Sequence, residues 1–144
     1  MDEHDFDRTS CACKECVRCC KRQPGPLAPG DFERIAAHLG ETTEEAKRHF
    51  VASPGAVVVI DGRTERRGTI TPKFARGRCV FLDDNDRCKI HTVAPFGCAY
   101  FDTHMSRQAA MPRSLWLVQA TPDAAYQKLR AELPYTTVYR PVNY

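Results

Sequence analysis

The stretch Ser10–Cys20, SCACKECVRCC, carries five of the eight cysteines in the chain, and how it is read decides what kind of fold to expect. Cys13, Cys16 and Cys19 have two residues between successive thiols. At that spacing a tight turn brings thiolates together around zinc or one face of an iron–sulfur cluster. One such pair is a weak signal, whereas three in series followed by Cys20 is a strong one. A ferredoxin run needs a further cysteine three residues on, followed by proline, and this sequence lacks it. Cys19 and Cys20 are adjacent, so their Cα atoms lie about 3.8 Å apart, below the roughly 4.4–6.8 Å of ordinary disulfides. A bond between them is disfavoured, and Cys20 is placed to face a second centre or to meet the downstream thiols Cys79, Cys88 and Cys98. These seven cysteines with His91 make eight candidate ligands, enough for two tetrahedral shells. Cys11 falls outside the pattern and reads as a spare thiol.

Composition favours metal over disulfides. The segment Met1–Ser10 is acidic and has no apolar region of the secretory kind, and no run approaches the ~18 apolar residues of a membrane span. The expectation is a cytoplasmic protein, where thiols are kept reduced and clustered cysteines point to metal or redox chemistry. A formal net charge of +3 is too small to mark a dedicated nucleic-acid domain. Basic residues do cluster at Gly62–Gly68 and Pro72–Arg78; a solvated loop is the simpler reading of both.

The run CKECVRCC together with GRCVFLDDNDRCKIHTVAPFGC (residues 77–98) resembles the CxxCxxCC cysteine-cluster family, described as a zinc- or iron-chelating domain. The match is carried downstream by Cys79 with Phe81 and Leu82, by Cys88, Ile90 and His91, by Pro95, and by Cys98 and Phe101. Many members have tyrosine in place of His91 and arginine in place of Ala94 and Ala99. The resemblance implies that the seven matched cysteines are ligands for zinc or iron, a [4Fe–4S] cluster included, in one or two centres. It extends to larger proteins, flagellin lysine methylases among them, in which such a cluster accompanies a modification activity.

The length of 144 residues, with ten prolines and eight glycines, predicts one small, loop-rich, metal-stabilised α+β domain. About three to four helices and a short β-hairpin are expected, with a flexible amino terminus over 1–10 and a tail over 135–144. Phe32, Ile35, Ala36 and Leu39 recur at helical spacing before Gly40. Thr42 and Glu45 form a capping-box pattern for a second helix that Ser53–Gly55 should end. Ala56–Ile60 and Gly68–Phe74 read as paired strands joined by DGRTERR. Ser114–Ala120 suits strand or helix, and a last helix is expected from an N-cap at Thr121 to Pro134. His38 and His49 read as ordinary helix-surface histidines. Asp102 and His104, just beyond Cys98, could orient a ligand, act as an acid–base pair, or simply cap the next helix.

The leading functional expectation is therefore a metal-binding protein with an unidentified protein or small-molecule partner and no membrane association. A second is a metal-dependent enzyme, or an accessory to a modification enzyme, using an open coordination position; the chain shows no nucleotide loop, nucleophile elbow or paired-carboxylate motif. A third is a zinc-stabilised nucleic-acid binder using Arg63, Arg66, Arg67, Lys73, Arg76 and Arg78.

Overall fold

A computed structural model describes residues 4–9 and 25–135. The cysteine run and the tail beyond Tyr135 lie outside the described residues. Among those described, five α-helices and a long antiparallel hairpin make a small α+β arrangement, the fold class expected from the sequence.

Helix α1, Asp31–Leu39, buries Phe32, Ile35 and Ala36 on one face. It ends at Gly40, whose φ of 68° puts it in the left-handed region and whose N–H reaches the Ala36 and Ala37 carbonyls, a stop that glycine makes without a Cβ penalty. Helix α2, Thr43–Ala46, has the full capping box: the Thr42 hydroxyl accepts from Glu45 N–H and the Glu45 carboxylate accepts from Thr42 N–H.

The second helix is shorter than the sequence suggests. After one turn and a 3-10 segment, Lys47–His49, the chain enters strand β1, Phe50–Ile60. Ser53–Gly55 thus lies inside a strand. There the register with β2, Arg63–Pro72, shifts between Ser53 and Ala56, a bulge in which Gly55 takes φ 71°. A Cβ on Gly55 would fall 1.8 Å from the Arg67 carbonyl oxygen. The hairpin turn is just Asp61-Gly62, both at positive φ, the two-residue geometry that matches strand twist. The expected connector DGRTERR is therefore two residues of turn followed by strand.

Strands β3, Phe74–Ala75, and β4, Arg78–Cys79, form a second, very short hairpin. Helix α3, Phe96–Ala99, is a single turn. Helix α4, Arg107–Ala120, starts from an N-cap at Ser106 and runs through Pro112, which settles Ser114–Ala120 as helix. Helix α5, Ala124–Ala131, is capped by Asp123, whose side chain accepts from Tyr126 N–H. Thr121 instead closes α4, its hydroxyl donating to the Val118 carbonyl, so the last helix starts later than its sequence signals suggest.

The main core gathers Leu27, Phe32, Ile35, Phe50, Ile70, Phe81, Leu82, Ile90 and Tyr126. A smaller one joins Ala28, Phe96 and Leu117, with Phe6, Tyr100, Phe101 and Trp116 packed against it. Helix α5 locks the hairpin onto the main core. Arg130 donates to the Ser53 and Thr69 carbonyls at the bulge, and Gln127 donates to the Gly68 carbonyl. The buried Tyr126 hydroxyl accepts from Ile70 N–H and donates to the Leu27 carbonyl, both at 2.7 Å. Burial pushes its phenol well above the usual tyrosine range, so it remains a neutral donor.

Tyr126→Phe removes the bridge and leaves a buried N–H and C=O without that partner. The expected cost is about 1–3 kcal/mol, read as a lower urea midpoint at unchanged slope.

Candidate metal centre

Cys98 is the described thiol most directly tied to the amino-terminal run. It sits on α3, a turn that begins at Pro95 and Phe96. Both flanks of the run dock on this turn. On the upstream side, Thr9 N–H donates to the Ala99 carbonyl at 2.8 Å, and the Arg8 guanidinium donates to the His91 and Thr92 carbonyls at 2.6 and 2.8 Å. On the downstream side, Gly25 N–H donates to Cys98 Sγ at 3.2 Å, and Gly97 N–H donates to the Pro26 carbonyl at 2.9 Å.

Two glycines make the downstream contact close. A Cβ on Gly25 would lie 2.4 Å from Gly97 C and 2.8 Å from Cys98 Sγ; one on Gly97 would lie 2.2 Å from Pro26 Cδ. Backbone meets backbone there, and only glycine on both sides leaves room. The contact is held by Asp31, a buried carboxylate whose Oδ2 accepts from Ala28 N–H and Phe96 N–H, both at 2.8 Å, while Oδ1 pairs with Arg34. Asp31 thus fastens the start of α1 to the start of α3. Burial raises its carboxyl above the ordinary aspartate range, against the pull of its backbone donors and Arg34.

Along the chain, Cys20 is five residues from Gly25 and Cys13 four from Thr9. Cys11, Cys13, Cys16, Cys19 and Cys20 themselves lie outside the described residues.

Cys79 and Cys88 belong to the main core. Cys79 is buried in the main core and Cys88 packs against it. The Cys79 carbonyl accepts from Leu82 N–H, and Leu82 pairs with Cys88 as an antiparallel bridge. Burial pushes the Cys88 thiol up, so coordination there would have to displace a proton. His91 opens a 3-10 turn, exposed, its N–H on the Cys88 carbonyl and its own carbonyl held by Arg8. Among the described residues, no group of three or more His, Cys, Asp or Glu side chains is gathered so as to hold a metal ion.

The remaining candidates have structural roles. Asp102 accepts from His104 N–H at 2.9 Å and closes a turn; the next helix is capped by Ser106. His38 is exposed at the end of α1, and His49 pairs with Glu41 at 2.9 Å. That hydrogen bond is the main reason the Glu41 carboxyl lies below its usual range. Arg67 pairs with Glu65, and alternation along β2 sends Arg66 to the opposite face from Arg63 and Arg67, so these arginines do not form one stripe. Sequence reading missed the residues that do the docking: Arg8, Thr9, Gly25, Asp31 and Gly97. Gly25 and Gly97 were visible as breaks in turn-rich segments, but nothing in the spacing shows that they touch.

With this geometry in hand, comparison with known proteins adds one finding. The family model CxxCxxCC, "Putative zinc- or iron-chelating domain", matches residues 12–121, which include every candidate ligand. No curated protein and no solved structure matches the chain.

Adding a methyl group at either glycine must push the two backbones apart. Gly97→Ala and Gly25→Ala are each expected to cost about 1–3 kcal/mol in urea denaturation. The double variant should cost less than the sum, because both open the same contact.

Proposed function

The chain belongs to the CxxCxxCC family, and from that membership we propose a metal-binding protein in which thiolates hold zinc or iron. The ligands are Cys13, Cys16, Cys19 and Cys20 from the run, with Cys79, Cys88 and Cys98 from the later segments and His91 as an eighth. Residues 1–144 act as one metal-binding unit in a reducing compartment, the cytoplasm, where thiols persist. No helix among the described residues is long and apolar enough to cross a membrane.

The docking of both flanks of the run on the helical turn that bears Cys98 carries this reading. Thr9 and Gly25, the described residues on either side of the run, both hydrogen-bond to that turn, which supports a centre shared by the run and Cys98. The donor set fits the metals named: thiolates are the ligands that zinc and iron–sulfur clusters share. The N–H of Gly25 aimed at Cys98 Sγ also suits a negatively charged sulfur, since such donors stabilise a ligand and tune its centre. The bound ion would supply crosslinking energy, about 10–16 kcal/mol in zinc-finger peptides. The protein's own residues fix where that crosslink closes.

Anaerobic purification followed by elemental analysis and an absorption spectrum tests the proposal. Brown protein with a broad charge-transfer band identifies a [4Fe–4S] or related cluster, and colourless protein with one or two zinc equivalents identifies tetrahedral sites. A well-ordered preparation with neither metal refutes it. Cys98→Ser is expected to lose at least half of the bound metal, whereas Cys11→Ser should retain all of it.

A further inference from the structure

Beside α3 lies an open cavity of about 330 Å³, lined in part by Phe96 and Ala99 of that turn. Its volume falls at the lower end of the roughly 300–1,000 Å³ typical of small-molecule sites. Among the described residues, none of Cys79, Cys88, Cys98 and His91 lines it. One wall is aromatic. His4, Phe96, Tyr100 and Trp116 contact one another with ring centroids 4.6 to 5.2 Å apart, so their positions are mutually fixed.

The lining also carries charge. Arg34 is neutralised by Asp31, but Arg8 has no carboxylate partner among the described residues. Each terminal nitrogen gives one of its two N–H groups to the Thr92 or His91 carbonyl, which orients the guanidinium without cancelling its charge. With Arg8, Arg34 and Asp31 on the lining, the cavity bears one net positive charge with His4 neutral. A planar cation and a cluster of rings lining one cavity complement a small anion with a ring.

We propose that this cavity binds a small aromatic carboxylate, its ring against Trp116 and Tyr100 and its carboxylate toward Arg8. The two features act together: the wall selects a flat body, and the guanidinium selects one negative charge. Because Arg8 is exposed, its attraction is screened by solvent, and modest affinity follows.

Trp116 is the only tryptophan in the chain, so its fluorescence reports occupancy directly. The metal-loaded full-length protein is titrated with benzoate, with benzamide (the same ring without the charge) and with acetate (the charge without the ring). Benzoate is expected to give a saturable change in the millimolar range, with benzamide and acetate each at least tenfold weaker. Arg8→Gln is expected to weaken benzoate at least tenfold while leaving benzamide unchanged, a split that mere loosening of the segment would not produce. No saturable response to benzoate, or equal responses to benzoate and benzamide or to benzoate and acetate, overturns the proposal. Elemental analysis of the same sample reads metal binding separately, so failure here is distinguishable from failure of the metal assignment.

Discussion

The close approach of Gly25 to Gly97 is the contact on which the site region depends. Through it the segment leaving the cysteine run lies directly on α3, with Gly25 N–H on Cys98 Sγ. A single turn of helix cannot hold its own position by internal hydrogen bonds. It is held from outside instead, by Asp31 at its amino end, by Pro26 at Gly97, and by Thr9 at Ala99. Each of these tethers is a backbone bond or a buried carboxylate, less yielding than a surface ion pair. The position of Cys98 is thereby set by polypeptide that carries no candidate ligand.

The apolar framework serves the same end at longer range. Leu27 sits two residues beyond Gly25 in the main core, and its N–H and C=O are tied to Ile70 and Tyr126. Strand β2 therefore fixes the start of the 25–31 segment, α5 fixes β2 through Tyr126 and Arg130, and Asp31 passes the constraint to α3. Cys79 and Cys88 enter this framework directly, as part of its packing. The later thiols thus stand on elements whose order comes from ordinary burial and hydrogen bonding.

Local signals in the sequence were read well where one physical effect dominates. The apolar spacing of Phe32, Ile35 and Ala36, the Thr42–Glu45 capping box and the Gly40 stop all appear as expected. Competing effects were harder to separate. Ser53–Gly55 looks like a helix stop, but cross-strand pairing with Thr69 and plugging by Arg130 make it a bulge. Thr121 and Asp123 both have cap chemistry, and the choice between them depends on where α4 ends. The cysteine spacing identified the family and the candidate ligands. It could not show the docking of Thr9 and Gly25 on α3 or of Arg8 on the 3-10 turn His91–Val93, because contacts between residues some seventy to ninety positions apart leave no local pattern.

Anchoring both flanks of the run on one helical turn has a consequence for competition among ligands. In the proposed centre, a thiol joined to such an anchor by four or five residues would meet Cys98 at an effective concentration set by that tether, on the order of millimolar for short linkers. Small thiols in the surrounding solution would have to match that figure, cysteine by cysteine, to strip an ion. Selectivity against such buffers would then arise from geometry before any difference in intrinsic bond strength is considered.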